Sequence, residues 1–413
     1  MLRIAIVGAG ITGLATALFL SRAGHQIKLF EQATTPGPLG SGLLLQPPGM
    51  LALQSLGLLE LAVACGQPIT RLRGTNRRGR CVMDLTYSKW KPGWFGLGIQ
   101  RGALWSLLHA AVVGARIQVD ANCKVERVAD DGTLQCRSGD LQDDDEPFDL
   151  IIAADGSRSA LRHAHVVDSS KEYEWGALWA TLSLPTGWEH STLLQRYAGA
   201  HQMMGALPVG ADQPGGAPQV TLFWSERARD LDASRADVGT WRRRASALWP
   251  EAEVLIAQVY EPAQLIPARY LDVRPHTTLA RRVLLIGDAA HGTSPQLGQG
   301  ASLGLLDALM LSRSLSGADN PTSLSGSLRE FVASRHSHVR YYQWASRMLT
   351  PFFQSDQAWL AKVRDLLFEP VSRLPYVGGE FRATLVGAKS GILFGRLDES
   401  LQGPSSFFER SMK

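Results

Sequence analysis

Residues 2–31 read LRIAIVGAGITGLATALFLSRAGHQIKLFE, and this stretch decides the architecture. Ile4 to Val7 is a run of mostly branched apolar residues with the length of a buried strand. Gly8-Ala9-Gly10-Ile11-Thr12-Gly13 follows, and then Leu14 to Ala23, rich in alanine and leucine, which reads as a helix closed by Gly24. Gln26 to Phe30 is a second strand, and Glu31 stands at its end. The order strand, turn, helix, strand makes a βαβ unit, and the turn fits GxGxxG. In that setting Gly8 makes the turn, Gly10 lets the backbone approach a pyrophosphate, and Gly13 lets helix and strand pack. The phosphates meet free N–H groups where the helix starts, at Ile11 and Thr12. Glu31, about 20 residues on, accepts from the hydroxyls of an adenosine ribose and repels a 2′-phosphate. The unit predicts a site for FAD or NAD rather than NADP.

Outward from it, Thr34 to Gly42 is rich in Pro and Gly and predicts a loop, and Met50 to Leu61 recovers helical spacing. Arg71 to Tyr87 alternates around Asn76 and Gly79, predicting a hairpin outside the main sheet. Gly102 to Val113 returns to helix. Ile117 to Val119, Val125 to Val128 and Leu134 to Arg137 read as strands, with Asp131-Gly132 as a turn. Leu150 to Ala153 is another buried strand, running into Ala154-Asp155-Gly156. From Tyr173 to Tyr260 the chain is rich in Trp and in alternating stretches, predicting an antiparallel sheet. Val283 to Ile286 is a last buried strand before Gly287-Asp288, and helical spacing holds from Leu303 to about residue 370. The expected fold is α/β: a Rossmann-like dinucleotide-binding domain (1–70, 97–165, 276–315) interleaved with an antiparallel β-sheet substrate domain (71–96, 166–275), plus C-terminal helices over 316–413.

A chain of 413 residues exceeds what one core usually fills, so a composite protein is expected. With 45% hydrophobic and 19% charged residues it is neither disordered nor fibrous. The net charge of +4 comes without a long Lys/Arg run, which argues against nucleic acid as a partner. The densest basic patch, Arg71, Arg73, Arg77, Arg78 and Arg80, reads as a solvated hairpin that could attract an anionic nicotinamide cofactor. Cys65, Cys81, Cys123 and Cys136 are scattered, with no CxxC pair, so neither zinc nor redox exchange is suggested, and free thiols fit a reducing cytosol. Met1 to Gly8 already reads as a strand, so no export signal is expected. Apolar runs such as Ala15 to Leu20 are far shorter than the roughly 20 residues of a membrane span. A cytoplasmic location follows as the expectation. The acidic stretch Asp143 to Glu146 reads as solvated loop.

Gly287-Asp288-Ala289-Ala290-His291, then Pro295, then Gly298-Gln299-Gly300-Ala301, is the second constellation. It resembles the GDAAHxxxPxxGxG segment of the FAD-dependent aromatic hydroxylases, the family of para-hydroxybenzoate hydroxylase and salicylate hydroxylase. Further pieces resemble that family in the right order: Gly40-Ser41-Gly42 before Gln46-Pro47, Arg101 with Leu104, and Ala154-Asp155-Gly156 with Ser159 and Arg162. The match runs from residue 4 to about 308. The resemblance implies that Asp288 binds the ribityl chain, that Arg101 contacts the FAD phosphates or ribityl, and that Asp155 holds the geometry of the cofactor site. Gly298 to Gly300 would let backbone N–H groups approach the flavin pyrimidine edge, where a helix N-terminus stabilises negative charge. Gly42 and Gly287 fall within the same set. Two positions depart from the family pattern, Ser302 in place of Asn and Ala153 in place of Gly.

The chemistry so implied is reduction of FAD by NADH or NADPH, reaction with O2 to a flavin hydroperoxide, and oxygen transfer to an aromatic ring. No second GxGxxG is present, which fits transient nicotinamide binding. The sequence assigns no catalytic base. Tyr197, His201, Met204, Trp224 and Pro295 are the candidate substrate residues, and Trp175, Trp179, Met203 and Phe223 could line an aromatic pocket with them. His291 reads as structural. The alternatives are a flavin-dependent reductase of the same fold and a non-catalytic FAD-binding protein; a halogenase is disfavoured because its Trp-x-Trp-x-Ile-Pro signature is absent. The amphipathic stretch Trp359, Leu360, Val363, Leu366, Leu367 could dock on its own core, a second copy or a membrane, with self-packing or dimerisation favoured. A monomer or homodimer is expected.

Overall fold

The structure is a computed structural model that describes residues 1–413 apart from 38–39, 138–145, 319 and 412–413, so most of the acidic stretch 143–146 lies outside the described residues. The strands that build the site are β1 (Arg3–Val7), β2 (Gln26–Phe30), β3 (Gly42–Leu45), β4 (Leu150–Ala153), β5 (Trp175–Ser183), β6 (Thr192–Ala198), β7 (Gln202–Gly210), β8 (Gln219–Arg227) and β9 (Val283–Leu285). The helices around it are α1 (Ile11–Arg22), α2 (Pro47–Ser55), α3 (Arg101–Gly114), α4 (Gly300–Ser314), α5 (Pro321–Phe353), α6 (Ala358–Ser372) and α7 (Pro375–Leu385).

Ile4, Ala5 and Ile6 are wholly buried because β1 lies inside a parallel sheet, paired with β2 on one side and β4 on the other. β9 pairs in parallel with β4, Gln118–Asp120 extends the sheet beyond β2, and Leu279–Ala280 closes the other edge antiparallel. Strands covered on both faces read as unbroken apolar runs, which is why these were visible in the sequence. Val7, Ala153 and Leu285 lie in register, so Gly8, Ala154 and the Ile286-Gly287 turn leave the same carboxyl edge side by side. That edge is where open α/β sheets place their ligands.

A second sheet of seven strands runs in the order Ile266–Ala268, β5, β8, β7, β6, Arg71–Asn76, Cys81–Thr86. Its pleat sorts the side chains. Leu178, Leu182, Met204, Val220, Leu222 and Trp224 turn outward under a cluster of short helices, while Trp179, Met203, Leu207, Phe223 and Tyr197 turn inward toward the first sheet's core. The predicted alternation up to Tyr260 overshoots. The last long strand ends at Arg227, and Leu231–Ala236, Val238–Leu248 and Glu253–Ile256 are helical. Val238, Trp241, Ala245 and Leu248 stand at helical spacing and are buried on the outer face, with Trp241 edge-on to Trp224 at 6.3 Å.

A small sheet of β3, Gly96–Gln100 and Gln67–Ile69 bridges the two. Gly42 N donates to Thr221 Oγ1 at 3.1 Å, and a Cβ at Gly42 would collide with Thr221 and Val209, so this glycine is fixed by sheet contact. After α4 the chain continues into α5 and α6, and helix persists through α7, beyond the point where the spacing weakens in the sequence. In α6 the buried residues are Leu360, Ala361 and Arg364. Of the apolar stripe, Leu360 packs on the chain's own core, whereas Trp359, Leu366 and Leu367 are exposed, so self-packing accounts for only part of it.

Candidate functional site

The glycine turn is held from all sides. Gly8 has φ +104°, and a Cβ there would stand 2.6 Å from the Ala154 carbonyl oxygen and 2.9 Å from Asp155 Cα, so only glycine lets the two turns meet. A Cβ on Gly13 would collide with Gly8 O, whereas one on Gly10 would meet nothing within 4 Å. Gly10 therefore faces the open side, where a pyrophosphate can approach the start of α1. Glu31 accepts from Ala9 N at 2.8 Å and from Ala33 N at 2.9 Å, leaving each oxygen a further lone pair for a ribose hydroxyl. Trp105 of α3, which the sequence reading missed, donates Nε1 to Ala9 O at 2.8 Å. The side chain of Thr12 turns away from this opening and wedges between Gly287 and Gly304, each of which would clash with it if it carried a Cβ.

Arg162 links two of the motifs. Its wholly buried guanidinium donates to Ser157 O at 2.6 Å and to Ala289 O at 3.0 Å, and pairs with Asp168 at 2.8 Å. Ser159 caps the following short helix by accepting from Arg162 N. Asp155 Oδ2 accepts from Ala160 N at 2.9 Å; burial pushes its carboxyl up, and Oδ1 is buried without a protein partner.

Asp288 heads a one-turn helix after Gly287, and its Oδ1 lies beside Gly300 at the mouth of α4. His291 points the other way: its Nε2 is 2.7 Å from Asp307 Oδ2, which also accepts from Gly287 N at 2.9 Å. Arg335 Nε donates to the other Asp307 oxygen at 2.7 Å, and Arg335 Nη1 reaches His338 Nδ1 at 2.8 Å. Because a guanidinium can only donate, His338 Nδ1 accepts and Nε2–H donates to Gly387 O at 2.9 Å. Burial, then Arg335, lowers His338 to about 3, and the neighbouring His291 and Arg335 outweigh burial to hold Asp307 well below the usual carboxylate range. The sequence places His291 as structural but gives no sign of Asp307, Arg335 or His338, because these stand 16, 44 and 47 residues further along the chain.

Beyond this, the loop Pro295–Leu297 ends at Gly298 in the left-handed region, φ +59°, and exposed Gly300 opens α4. The helix start thus presents unpaired N–H groups of Gly300 and Ala301 to the open side. Gln299 is a correction in part: its side chain is buried and donates to Thr384 O and Leu385 O, so only its backbone can serve a cofactor. Ser302 is explained by packing, since its hydroxyl accepts from Gln46 N at 2.9 Å and its Cα sits where only Gly49 lets α2 approach. Tyr87 donates to Gln46 Oε1 at 2.8 Å, which orients the amide so that Nε2 faces Gly298; burial pushes the Tyr87 phenol well up. Arg101 is exposed at the first turn of α3, its Cδ against Gly40, and it forms no salt bridge among the described residues.

These residues fit FAD. Ser41 Oγ, Gln46 Nε2 and Ser294 Oγ are buried without a protein partner, and all three lie along the strip from β3 to the Pro295 loop. Buried polar groups of this kind require a partner, and a flavin with its ribityl hydroxyls supplies donors and acceptors along such a strip.

The substrate candidates separate by the pleat. Tyr197 is wholly buried, donates to Gln195 Oε1 at 2.6 Å and packs against Phe353 and the Arg364 guanidinium. His201 is exposed in the β6–β7 turn. Met204 and Trp224 are on the outer face, turned from the cofactor strip, because a one-residue step along a strand reverses the side chain. Their neighbours Met203 and Phe223, with Trp179, are on the inner face. Trp179 lies 5.1 Å from Phe223 and donates to Tyr270 Oη at 2.9 Å. The exposed Pro295 loop reaches this face through Gln296, which donates to Gln354 Oε1 while Gln354 donates to Gly176 O.

The described geometry has counterparts. A family model for an FAD binding domain matches residues 1–342. The salicylate hydroxylase of Pseudomonas putida is 30% identical over 359 residues, 76% of this chain and 77% of that one. The 2-heptyl-3-hydroxy-4(1H)-quinolone synthase of Pseudomonas aeruginosa is 25% identical over 372 residues, 88% of this chain and 92% of that one. The structure of Klebsiella pneumoniae HpxO complexed with FAD and uric acid superposes with a TM-score of 0.73 at 22% identity, covering 93% of this chain and 97% of that one, which shows a shared fold. The chain belongs to the FAD-dependent monooxygenase family that this domain defines, the aromatic-hydroxylase class its motifs resemble. FAD is its cofactor. Among the described residues no helix is long and apolar enough to cross a membrane.

Proposed function

We propose that this enzyme hydroxylates a neutral aromatic or heteroaromatic ring bearing apolar substituents, with NADH or NADPH as reductant and O2 as co-substrate. The observation that carries this reading is the inner face of the seven-stranded sheet. Around Trp179, Phe223 and Met203 the inward residues are Ala177, Thr181, Ser225, Gly205 and Leu207, none of them charged. Such a face binds a flat apolar ring and leaves a carboxylate unpaired at high cost.

In this reading Gly10 to Gly13 and the start of α1 hold the pyrophosphate, Glu31 the adenosine ribose, and Asp288 the ribityl chain, with Arg101 nearby. Bound and reduced FAD supplies the oxygen-activating chemistry. The N-terminus of α4, at Gly300 and Ala301, stabilises negative charge at the pyrimidine edge. Gln46 offers Nε2 as a donor, fixed by Tyr87. Trp179 and Phe223 orient the substrate ring, and the apolar face excludes water from the reacting atoms. The discontinuous cofactor part comprises 1–70, 97–165 and 276–315, and the substrate part 71–96 and 166–275. The protein acts in the cytoplasm as a monomer or homodimer.

The test is product analysis under ¹⁸O2 with NADH and NADPH. Neutral alkylated quinolones and phenols are set against benzoates of similar size. One labelled oxygen in the product, with kcat/KM for the neutral rings at least about tenfold above the benzoates, is expected. Preference for the carboxylates would overturn the substrate reading, and the absence of any oxygenated product the hydroxylase reading.

A further inference from the structure

Cys123 and Cys136 have no CxxC spacing in the sequence, yet the fold lays them side by side. They flank a hairpin made by the antiparallel strands Val125–Val128 and Leu134–Cys136. Cys136 pairs in register with Val125, Arg137 N donates to Lys124 O at 3.0 Å, and Glu126 lies 3.6 Å from both Lys124 and Arg137 on the outer face. Residues two apart on extended chain share a face, so Cys123 turns to the same side as Val125, Leu134 and Cys136. On that side Val125 and Leu134 are buried, and both cysteines are half-buried against the same core with their thiols hydrogen-bonded to each other. The remaining cysteines differ: Cys65 is buried, and Cys81 lies on the seven-stranded sheet with its thiol donating to Met83 O.

The pair adjoins the adenosine end of the cofactor site. Glu31 N donates to Asp120 O at 2.9 Å, Asn122 N to Ala33 O at 3.0 Å, and Cys123 N to Glu31 O at 2.9 Å. Residue 123 is thus tied through its backbone to Glu31 and through its side chain to Cys136. Asn122, immediately before it, has φ +57°, in the left-handed region, so the chain turns sharply at this point. The hydrogen bond from Cys136 holds the Cys123 thiol below its usual range despite burial, and the same bond together with burial pushes Cys136 up. One sulfur of such a pair attacks an oxidant and its neighbour resolves the product.

We propose that Cys123 and Cys136 are a redox modification site, which hydrogen peroxide closes to a disulfide, and that this closure loosens the Glu31 end of the FAD site. The oxidant is the two-electron product of O2 with any reduced flavin that transfers no oxygen atom. The Cys123 thiolate attacks one peroxide oxygen, the O–O bond breaks, and the departing hydroxide takes up the proton that the thiol gave, leaving Cys123–SOH and water. The Cys136 sulfur then attacks the Cys123 sulfur, and the hydroxyl leaves with the Cys136 proton as a second water. Two thiols are oxidised by two electrons, and one peroxide is reduced to two waters. An S–S bond of about 2.05 Å is far shorter than a hydrogen-bonded thiol contact, so closure draws residue 123 toward the hairpin and away from Glu31 O. The disulfide stands on the cysteine geometry alone, while its effect on FAD rests on the assignment of Glu31 to the adenosine ribose.

The experiment treats the full-length, FAD-loaded protein with equimolar hydrogen peroxide, maps its cysteines by peptide mass under non-reducing conditions, and follows flavin fluorescence released on dilution. A peptide linking Cys123 to Cys136 is expected, with two of the four thiols lost and restored by dithiothreitol. The FAD dissociation constant should rise by about fivefold in the linked form, the worth of one backbone hydrogen bond, and return on reduction. Cys136→Ser should bind FAD like the reduced parent and show no response to peroxide; Cys123→Ser should do the same, and Cys136→Ser carries the test if that variant fails to fold. A disulfide through Cys65 or Cys81, oxidation without a Cys123–Cys136 link, or a response that survives in folded Cys136→Ser would overturn the proposal. So would an unchanged FAD affinity in the linked form, and Glu31→Gln titrated beside it tells whether the ribose assignment fails as well.

Discussion

At the scale of single residues, the site depends on side chains that serve the backbone and leave one valence for the ligand. Glu31 accepts from Ala9 N and Ala33 N, so Glu31→Gln sets an amide N–H2 against one of these donors. The FAD dissociation constant should rise by about tenfold or more, measured by fluorescence titration of the apoprotein, because a hydrogen bond to a charged group is worth about 1.5–3 kcal/mol. His338 gives a pH signature. Its folded value of about 3 lies below the ordinary 6.5, so the unfolded chain takes up a proton that the folded chain refuses. The contribution is complete above about pH 6.5 and is lost as pH falls toward 3, by at most about 1.4 kcal/mol per pH unit. Asp307, also held low, adds its own loss only below about pH 4, where unfolded carboxylates protonate. Thermal melts between pH 7 and 4.5 should therefore be flatter for His338→Gln than for the parent; equal slopes would remove His338 as the source.

At the scale of elements, what could be read in the sequence was whatever is local. The glycine turn, the ADG turn and the GDAAH loop each lie within a few residues of a buried strand, and the parallel strands announce themselves as unbroken apolar runs. Alternation along β5 to β8 was equally visible, but not which side faces the cofactor. Alternation points to Met204 and Trp224 as substrate residues, yet it is their neighbours Met203 and Phe223 that face inward, and only the position of the covering helices separates the two pairs. Those helices were missed because Val238, Trp241, Ala245 and Leu248 sit in a stretch that also contains Arg242, Arg243 and Arg244, so its mean apolar content is low. Trp241→Ala would open a cavity under Trp224 and should cost about 3–5 kcal/mol, read by chemical denaturation. FAD affinity should change little, because the helix lies on the face away from the cofactor.

At the scale of the whole molecule, the C-terminal helices are tied into the flavin loop rather than appended to it. Gln299 donates to Thr384 O and Leu385 O, Tyr342 donates to Thr384 O, and His338 donates to Gly387 O, so residues 383–388 brace the loop from behind. These contacts join positions 42 to 86 residues apart, and no local pattern encodes them. The cofactor strip thus lies between three parts of the chain that the sequence alone separates. The central claim is that this assembly brings a neutral ring on Trp179, Phe223 and Met203 against the flavin. The most direct test is stopped-flow flavin absorbance of the purified protein mixed with NADH or NADPH, with and without a neutral heteroaromatic ligand. Faster bleaching with the ligand, reoxidation by O2 with a hydroxylated product, and loss of the ligand effect in Phe223→Ala are the predicted results. A flavin that neither nicotinamide reduces, or a ligand effect untouched by Phe223→Ala, would contradict the account.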